Sequence, residues 1–77
     1  EVAQDAASAE ALHRLGVVLA ASGRYPEALE SLLEAARRDK KLGASKVREA
    51  MVQVFFALGP RDPLSDRYRS ELARTIY

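Results

Sequence analysis

The stretch LHRLGVVLAASGRYPEALESLLEAARR, residues 12–38, contains two segments whose apolar residues recur at helical spacing. Gly23 separates the segments and suits the left-handed residue that ends a helix, while Pro26 suits the first turn of the next helix. We therefore predict two antiparallel helices joined by a tight turn. Their facing stripes are Leu12, Leu15 and Leu19 on the first helix and Tyr25, Leu29, Leu32, Leu33 and Ala36 on the second.

Small residues within this hairpin resemble those of a tetratricopeptide repeat. The resemblance rests on Leu15-Gly16, Ala28, Leu32 and Ala35. Small side chains at Gly16 and Ala28 let two helices approach closely. The chain departs from the pattern at Leu12, where tryptophan is usual, and at Lys40, where proline is common. A plain helical hairpin is the alternative.

Length and composition indicate one small domain, residues 1–77, which buries only about 60% of its unfolded surface. Apolar residues make up 48% of the chain and charged residues 30%, and no run approaches the roughly 20 apolar residues of a membrane span. Without cysteine the chain has no disulfide or thiolate metal site. We expect a cytoplasmic protein with no membrane contact, and the start at Glu1-Val2 indicates a fragment of a longer chain.

The two halves of the chain carry opposite charge. Residues 1–36 contain six acidic and two basic residues, a net charge of −4, whereas residues 37–77 contain five acidic and ten basic residues, a net charge of +5. No recognition motif or stacking aromatic platform accompanies the basic residues, so nucleic-acid binding is disfavoured. The basic cluster comprises Arg37, Arg38, Lys40, Lys41, Lys46 and Arg48.

Capping residues predict the boundaries of the first two helices. Asp5 is the expected N-cap of a helix over residues 6–22, and Pro26 begins a second helix over residues 26–39. On the first helix, His13 points away from the leucine stripe and is expected at the surface. On the second helix, Glu34 and Arg38 are four residues apart, a spacing that favours a weak ion pair.

A third helix is predicted over residues 46–58, because Gly43 offers a helix stop and Ser45 a cap. Val52 and Phe56 fall on its outward face, where they pack against a neighbour or bind a partner. Its buried stripe comprises Val47, Ala50, Met51, Val54 and Leu58, and the predicted core of the domain adds Leu15, Leu19, Leu29, Leu32 and Leu33.

Gly59-Pro60 ends the third helix, and Asp62-Pro63 caps and opens a fourth. Gly59, Leu64, Tyr68 and Leu72 follow Gly23, Ala28, Leu32 and Ala36 at one constant offset, which is a weak internal repeat. The expected fold is all-α, with two antiparallel helix pairs in a right-handed tetratricopeptide-like array. The fourth helix carries Leu64, Tyr68, Leu72 and Ile76 at four-residue steps.

The whole chain also resembles the C-terminal tail of the bacterial thioredoxin-domain co-chaperones of the YbbN type. The segments that carry this resemblance are GRYPEALESLL at residues 23–33, RRDKK at 37–41, LGPRDPL at 58–64 and YRSELARTIY at 68–77, together with Arg48, Met51 and Val54-Phe55. The resemblance implies a thioredoxin-fold domain upstream, and a tail that binds the chaperonin, unfolded clients or its own thioredoxin-fold domain. It places chaperonin docking on the last helix, at Tyr68, Arg69, Leu72, Ile76 and Tyr77. Arg74 on the same helix is expected to steer it, with Arg69, toward an acidic partner surface.

Among functional classes, an enzyme is disfavoured because the sequence has no cysteine nucleophile, glycine-rich phosphate loop or metal-ligand cluster. No catalytic residue, cofactor or metal is therefore expected. A repeat that grips a C-terminal carboxylate typically uses asparagine, which this chain lacks. A scaffold or self-association module stays open, since repeat stacks usually need three or more units. Val17, Val52 and Phe56 are the candidate contacts of a homodimer.

Overall fold

A computed structural model describes residues 2–59 and 61–76, with side chains from Ser8 onward. Its first two helices are α1, Val2–Ala21, and α2, Tyr25–Arg38. Three continuous segments follow, an α-helical turn Lys40–Leu42, a π-helical stretch Gly43–Val47 and an α-helix Arg48–Leu58, which together form α3, residues 40–58. The fourth helix, α4, is Pro63–Ile76. The part of the chain described is thus all-α, as predicted.

The turn between α1 and α2 has the predicted form. Gly23 has φ +82°, the left-handed conformation that favours glycine. The backbone N–H of Arg24 donates to the Leu19 carbonyl at 2.9 Å and that of Gly23 donates to the Ala20 carbonyl at 3.0 Å, which is a Schellman motif. Pro26 lies in the first turn of α2, as predicted. The helices therefore reverse direction within three residues.

The two helices of this hairpin meet most closely at Gly16. A Cβ built on Gly16 would lie 2.5 Å from Leu32 Cγ and 3.2 Å from the Ala28 carbonyl oxygen. The Leu32 side chain therefore fills the space that a larger residue at position 16 would need. The predicted role of Gly16 and Ala28 in close helix packing is confirmed.

The predicted start of α1 and two of its stripe positions are wrong. The helix begins at Val2, so Asp5 lies within it and cannot be its N-cap; the alanine-rich sequence propagates the helix without that cap. Leu15 is 48% exposed, because the side of α1 that faces α2 contains Gly16 and the fully buried Ala9. Leu19 is only half-buried.

Gly43 does not end a helix and Ser45 does not cap one. Gly43 has φ −60° and continues the helix into the π-helical stretch, where the Arg48 N–H donates to the Gly43 carbonyl five residues back. The Ser45 hydroxyl donates to the Lys41 carbonyl at 2.9 Å, a bond that side chains make within helices. The third helix is consequently six residues longer than predicted.

Asp39 is the cap that begins α3. Its carboxylate accepts the backbone N–H groups of Lys41 at 3.1 Å and Leu42 at 3.2 Å. Asp39 has an extended conformation, φ −145° and ψ 101°, so the chain turns sharply between α2 and α3 without glycine or proline. For this reason α2 ends at Arg38, one residue before the predicted end at Asp39.

The last helix begins as predicted. Gly59 has φ +97°, and the Asp62 carboxylate accepts the Leu64 N–H at 2.9 Å at the start of α4. Pro63 is the first residue of that helix. Gly59-Pro60 was predicted to end the third helix. Gly59 follows the last residue of that helix, and Pro60 lies outside the described residues.

The core is arranged around α2, which packs against all three other helices. Ser65 is buried in α4, where its hydroxyl donates to the Gly59 carbonyl at 3.4 Å. Leu58 and Ala50, predicted in the buried stripe of α3, are half-buried against the core. The buried apolar residues are Ala9, Ala28, Leu29, Leu32, Leu33, Ala35, Ala36, Val47, Met51, Val54, Phe55, Tyr68 and Leu72.

Candidate functional site

An apolar groove runs between α1 and α3, the first helix of each pair. It encloses about 330 Å³. Leu32 and Val54 from the core lie at its base, and Tyr25 closes it near the turn between α1 and α2. Its walls are Val17, Ala20 and Ala21 from α1 and Ala50, Gln53 and Ala57 from α3.

Toward the other end the groove becomes polar. A second depression of about 300 Å³ shares Ala50 and Gln53 with the first and adds His13, Lys46 and Glu49. His13 was predicted at the surface, but it is half-buried because it lies on the side of α1 that faces α3. The two depressions thus form one open groove, apolar near the turn and charged at the far end.

The groove is long enough for a short extended segment of another chain. From Lys46 to Ala57 the α3 wall is about 17 Å long, at about 1.5 Å per residue. An extended chain advances about 3.3 Å per residue, so about five residues fit along it. Four of the wall residues are alanines, and their small side chains leave room for apolar side chains of a ligand.

Sequence reasoning missed most of this groove. The sequence indicates Val17 only as a dimer contact, and it does not point to Gln53. Helical periodicity alone places His13 and Val17 on one side of α1, but only the packing of α3 against that side shows that they line a groove. The sequence did not identify alanines such as Ala57 as groove residues, because an exposed alanine in a helix is common.

A second surface lies at the other side of α3, between α3 and α4. Val52, Phe55, Phe56 and Arg69 line a depression of about 280 Å³. Phe56 is 78% exposed, in line with its predicted outward position, and Val52 is half-buried. The Arg69 guanidinium stacks over the Phe55 ring, 5.3 Å from its centroid, and lies 3.5 Å from the Asp66 carboxylate. This surface therefore places the exposed Phe56 ring near the Arg69 guanidinium, which the Phe55 ring and the Asp66 carboxylate hold in position.

The predicted docking residues of the last helix separate into two groups. Tyr68 and Leu72 are buried in the core, so neither side chain is presented to a partner. Arg69 and Arg74 are exposed, and Arg74 lies 3.9 Å from the Glu71 carboxylate. Ile76 is half-buried next to Gly43, so only part of its side chain is open to a partner. Tyr77 lies outside the described residues.

Charged residues elsewhere form weak local pairs. Glu34 contacts Arg38 at 3.2 Å, which confirms the predicted pair, and also contacts Arg37 at 3.4 Å. Exposed pairs of this kind contribute at most about 1 kcal/mol each. Among the side chains that the structure describes, from Ser8 onward, no three histidine, acidic or cysteine side chains come close enough to hold a metal ion. None of the helices within residues 2–59 and 61–76 is long and apolar enough to span a membrane.

Comparison with protein families gives a match that covers the whole chain. The model of the family described as "Tetratricopeptide repeat" matches residues 1–77. Comparison with curated proteins and with solved structures found no match. The matched family agrees with the structure, in which paired helices stack so that α3 packs beside α1 and α2. The chain therefore belongs to the tetratricopeptide repeat family.

Proposed function

We propose that this chain is a protein-binding module, not an enzyme, and that it binds an extended segment of another polypeptide in the α1–α3 groove. The observation that carries the proposal is the groove itself, whose apolar half ends in the polar residues His13, Lys46 and Glu49. Tetratricopeptide repeats generally mediate protein–protein interaction. This family membership supports binding of a protein over binding of a small molecule.

The shape of the groove favours a ligand with apolar side chains and no fixed sequence. Its walls are mostly alanine and valine, which offer contact area without directional hydrogen bonds. Gln53 lies in both halves and can bond either a carbonyl or an N–H of an extended backbone. Such a groove suits segments of unfolded proteins better than one folded surface.

A more specific role is that of the tail of a cytoplasmic thioredoxin-domain co-chaperone, which holds unfolded clients and docks on the chaperonin. The resemblance of residues 23–33, 37–41, 58–64 and 68–77 to that family supports this role. Exposed Arg69 and Arg74 on α4 give the last helix a basic surface, which suits an acidic site on the chaperonin. A generic repeat scaffold without a chaperone role is the alternative.

Binding of an unfolded polypeptide tests the groove. Reduced, carboxymethylated α-lactalbumin is a permanently unfolded probe, and its binding to the chain can be followed by fluorescence anisotropy. Val17→Asp places a charge on the apolar wall, and we expect at least a tenfold rise in Kd, equivalent to about 1.4 kcal/mol. Unchanged affinity in this variant would place binding outside the groove.

Leu15→Asp is the matched control. Leu15 is 48% exposed and Val17 is 44% exposed, but the two side chains point to opposite sides of α1. The control should bind the probe as the wild type does. Loss of binding in both variants would indicate that a negative charge anywhere on α1 is the cause.

The chaperonin role has a separate test. Co-elution of the protein with purified bacterial chaperonin should be lost in Arg74→Glu, whereas Glu30→Lys, an exposed charge reversal on α2, should leave it intact. Binding of the unfolded probe without any binding to chaperonin would support the scaffold alternative.

A further inference from the structure

The apolar half of the α1–α3 groove has room for two large side chains of a ligand. Its volume is about 330 Å³. An apolar cavity of roughly 150 Å³ admits benzene, which has the size of a phenylalanine ring. The space is open because four alanines form most of its walls, namely Ala20, Ala21, Ala50 and Ala57.

The length of this half decides which residues of an extended ligand enter it. From Ala57 to Ala50 the α3 wall is about 10.5 Å long, at about 1.5 Å per residue. Side chains of an extended segment alternate between its two sides, so residues i and i+2 point into the groove about 6.6 Å apart. Both fit along this wall. The next inward side chain, i+4, lies about 13 Å from the first and therefore passes beyond Ala50.

Side chain i+4 enters the polar half of the groove. When residue i lies beside Ala57, residue i+4 lies between Glu49, about 12 Å from Ala57 along α3, and Lys46, about 16 Å from it. On the opposite wall, His13 lies about 12 Å along α1 from Ala21. The third inward side chain thus meets polar groups on both walls.

Lys46 and Glu49 carry opposite charges, and both side chains are exposed. Neither forms an ion pair with any other side chain that the structure describes. The lysine ammonium only donates hydrogen bonds and the glutamate carboxylate only accepts them. A carboxamide can accept from the first and donate to the second, whereas a charged side chain would meet one like charge. An apolar side chain would displace water from both charges without replacing its hydrogen bonds.

We propose that the groove selects extended segments with large apolar residues at i and i+2 and a glutamine or asparagine at i+4. This inference rests on the proposed function and adds the pattern of the ligand to it. The pattern specifies a class of side chain at three positions, while residues i+1 and i+3 point away from the groove and are free to vary. Many segments of unfolded proteins satisfy such a pattern.

Fluorescein-labelled peptides, with binding to the wild-type chain followed by anisotropy, test the spacing. One peptide contains Leu-Ser-Leu-Ser-Gln, and a control of the same composition contains Leu-Leu-Ser-Ser-Gln, which turns its two leucines to opposite sides. The control should bind with a Kd about tenfold higher or more, because one leucine is left outside the groove. Equal Kd values for the two peptides would overturn the proposed spacing.

A change of preference tests the third position. Glutamate in place of glutamine in the first peptide should raise its Kd about threefold or more in the wild type, because of Glu49. Glu49→Gln removes the like charge and leaves Lys46, so this variant should bind the glutamate peptide at least as tightly as the glutamine peptide. Glu30→Gln, an exposed neutralisation on α2, is the matched control and should keep the wild-type order. The wild-type order in Glu49→Gln would overturn the assignment of i+4 to the polar half.

Unfolded α-lactalbumin distinguishes failure of this inference from failure of the proposed function. If Val17→Asp weakens α-lactalbumin binding but the two leucine peptides bind equally, or neither binds, the groove binds polypeptides without the pattern and only the inference is overturned. If the wild type binds neither α-lactalbumin nor the peptides, the proposed function fails and the pattern fails with it. Circular dichroism should show wild-type helix content in each variant.

Discussion

Replacement of Gly43 by alanine should destabilise the protein, although alanine is the better helix former. Gly43 is buried in α3 at φ −60°, so backbone preference alone favours alanine by about 1 kcal/mol. A Cβ at this position would lie 2.7 Å from Ala36 Cβ and 2.9 Å from Ala36 Cα. Carbon atoms in favourable contact are about 3.5–4.0 Å apart, so α2 and α3 would have to move apart by nearly 1 Å.

The magnitude follows from which neighbouring atoms can move. Ile76 Cγ2, 3.1 Å from the added methyl, can turn away, but Ala36 Cα is part of the α2 backbone. Overpacking a core typically costs about 1–3 kcal/mol, and we expect the upper half of that range because the obstruction is backbone. After subtraction of the helix preference, the net loss in the free energy of unfolding is about 1–2 kcal/mol. At roughly 4–8 °C per kcal/mol for a domain of this size, Tm should fall by about 4–16 °C.

Urea denaturation followed by circular dichroism measures this loss. Ala44→Gly is the control, because Ala44 is exposed in the same helical stretch and should lose only about 1 kcal/mol of helix preference. Combination with Ala36→Gly should recover part of the Gly43→Ala loss, since it removes one of the two close atoms. A Gly43→Ala variant more stable than the wild type would refute the close approach of α2 and α3.

Three further substitutions test the core, the cap and the last turn by the same denaturation measurement. Leu32→Ala should lower the free energy of unfolding by about 2–5 kcal/mol because Leu32 is fully buried against Gly16. Leu15→Ala should change it by less than about 0.5 kcal/mol, and equal losses in the two variants would contradict the assigned faces of α1. Asp39→Ala should lose about 1 kcal/mol and Asp39→Asn much less, since asparagine also accepts N–H groups; no loss in the alanine variant would exclude the cap. Ile76→Ala should lose about 1–2 kcal/mol because its side chain packs beside Gly43, and a stability equal to that of the wild type would mean that the last turn frays.

Turn chemistry and helical periodicity predicted most of the fold. Gly23 and Gly59 both have positive φ, and Asp62 caps α4, as their local sequence indicated. Such signals are reliable because they depend on one or two residues: glycine lacks the Cβ that disfavours positive φ, and the aspartate side chain accepts backbone N–H groups at a helix start. The helix pairs and the central role of α2 follow from these turns.

The errors at Gly43 and Leu15 have a tertiary origin. Gly43 looked like a helix stop, but packing against Ala36 requires a residue without a Cβ in the middle of α3. Leu15 looked like a core residue, but the glycine beside it occupies the position closest to α2. In both places glycine serves close approach of two helices, a use that the sequence indicated for Gly16 but that could not be told from a helix end at Gly43.

The groove could not be predicted because it depends on how two helices that are distant in sequence lie side by side. Its residues from α1 and α3 are separated by 25 or more positions along the chain. The outward position of Phe56, in contrast, follows from periodicity within one helix, and the structure agrees. Surfaces formed by one helix were thus predictable, whereas the site between two helices was not.

Binding of an unfolded polypeptide in the α1–α3 groove is the central claim, and NMR chemical-shift mapping tests it most directly. The isotopically labelled chain would be titrated with reduced, carboxymethylated α-lactalbumin, with the amide resonances followed residue by residue. The account predicts that the largest shifts cluster at Val17, Ala50, Gln53 and Ala57 along the groove. Shifts confined to the surface around Phe56, or no shifts at saturating probe, would contradict it.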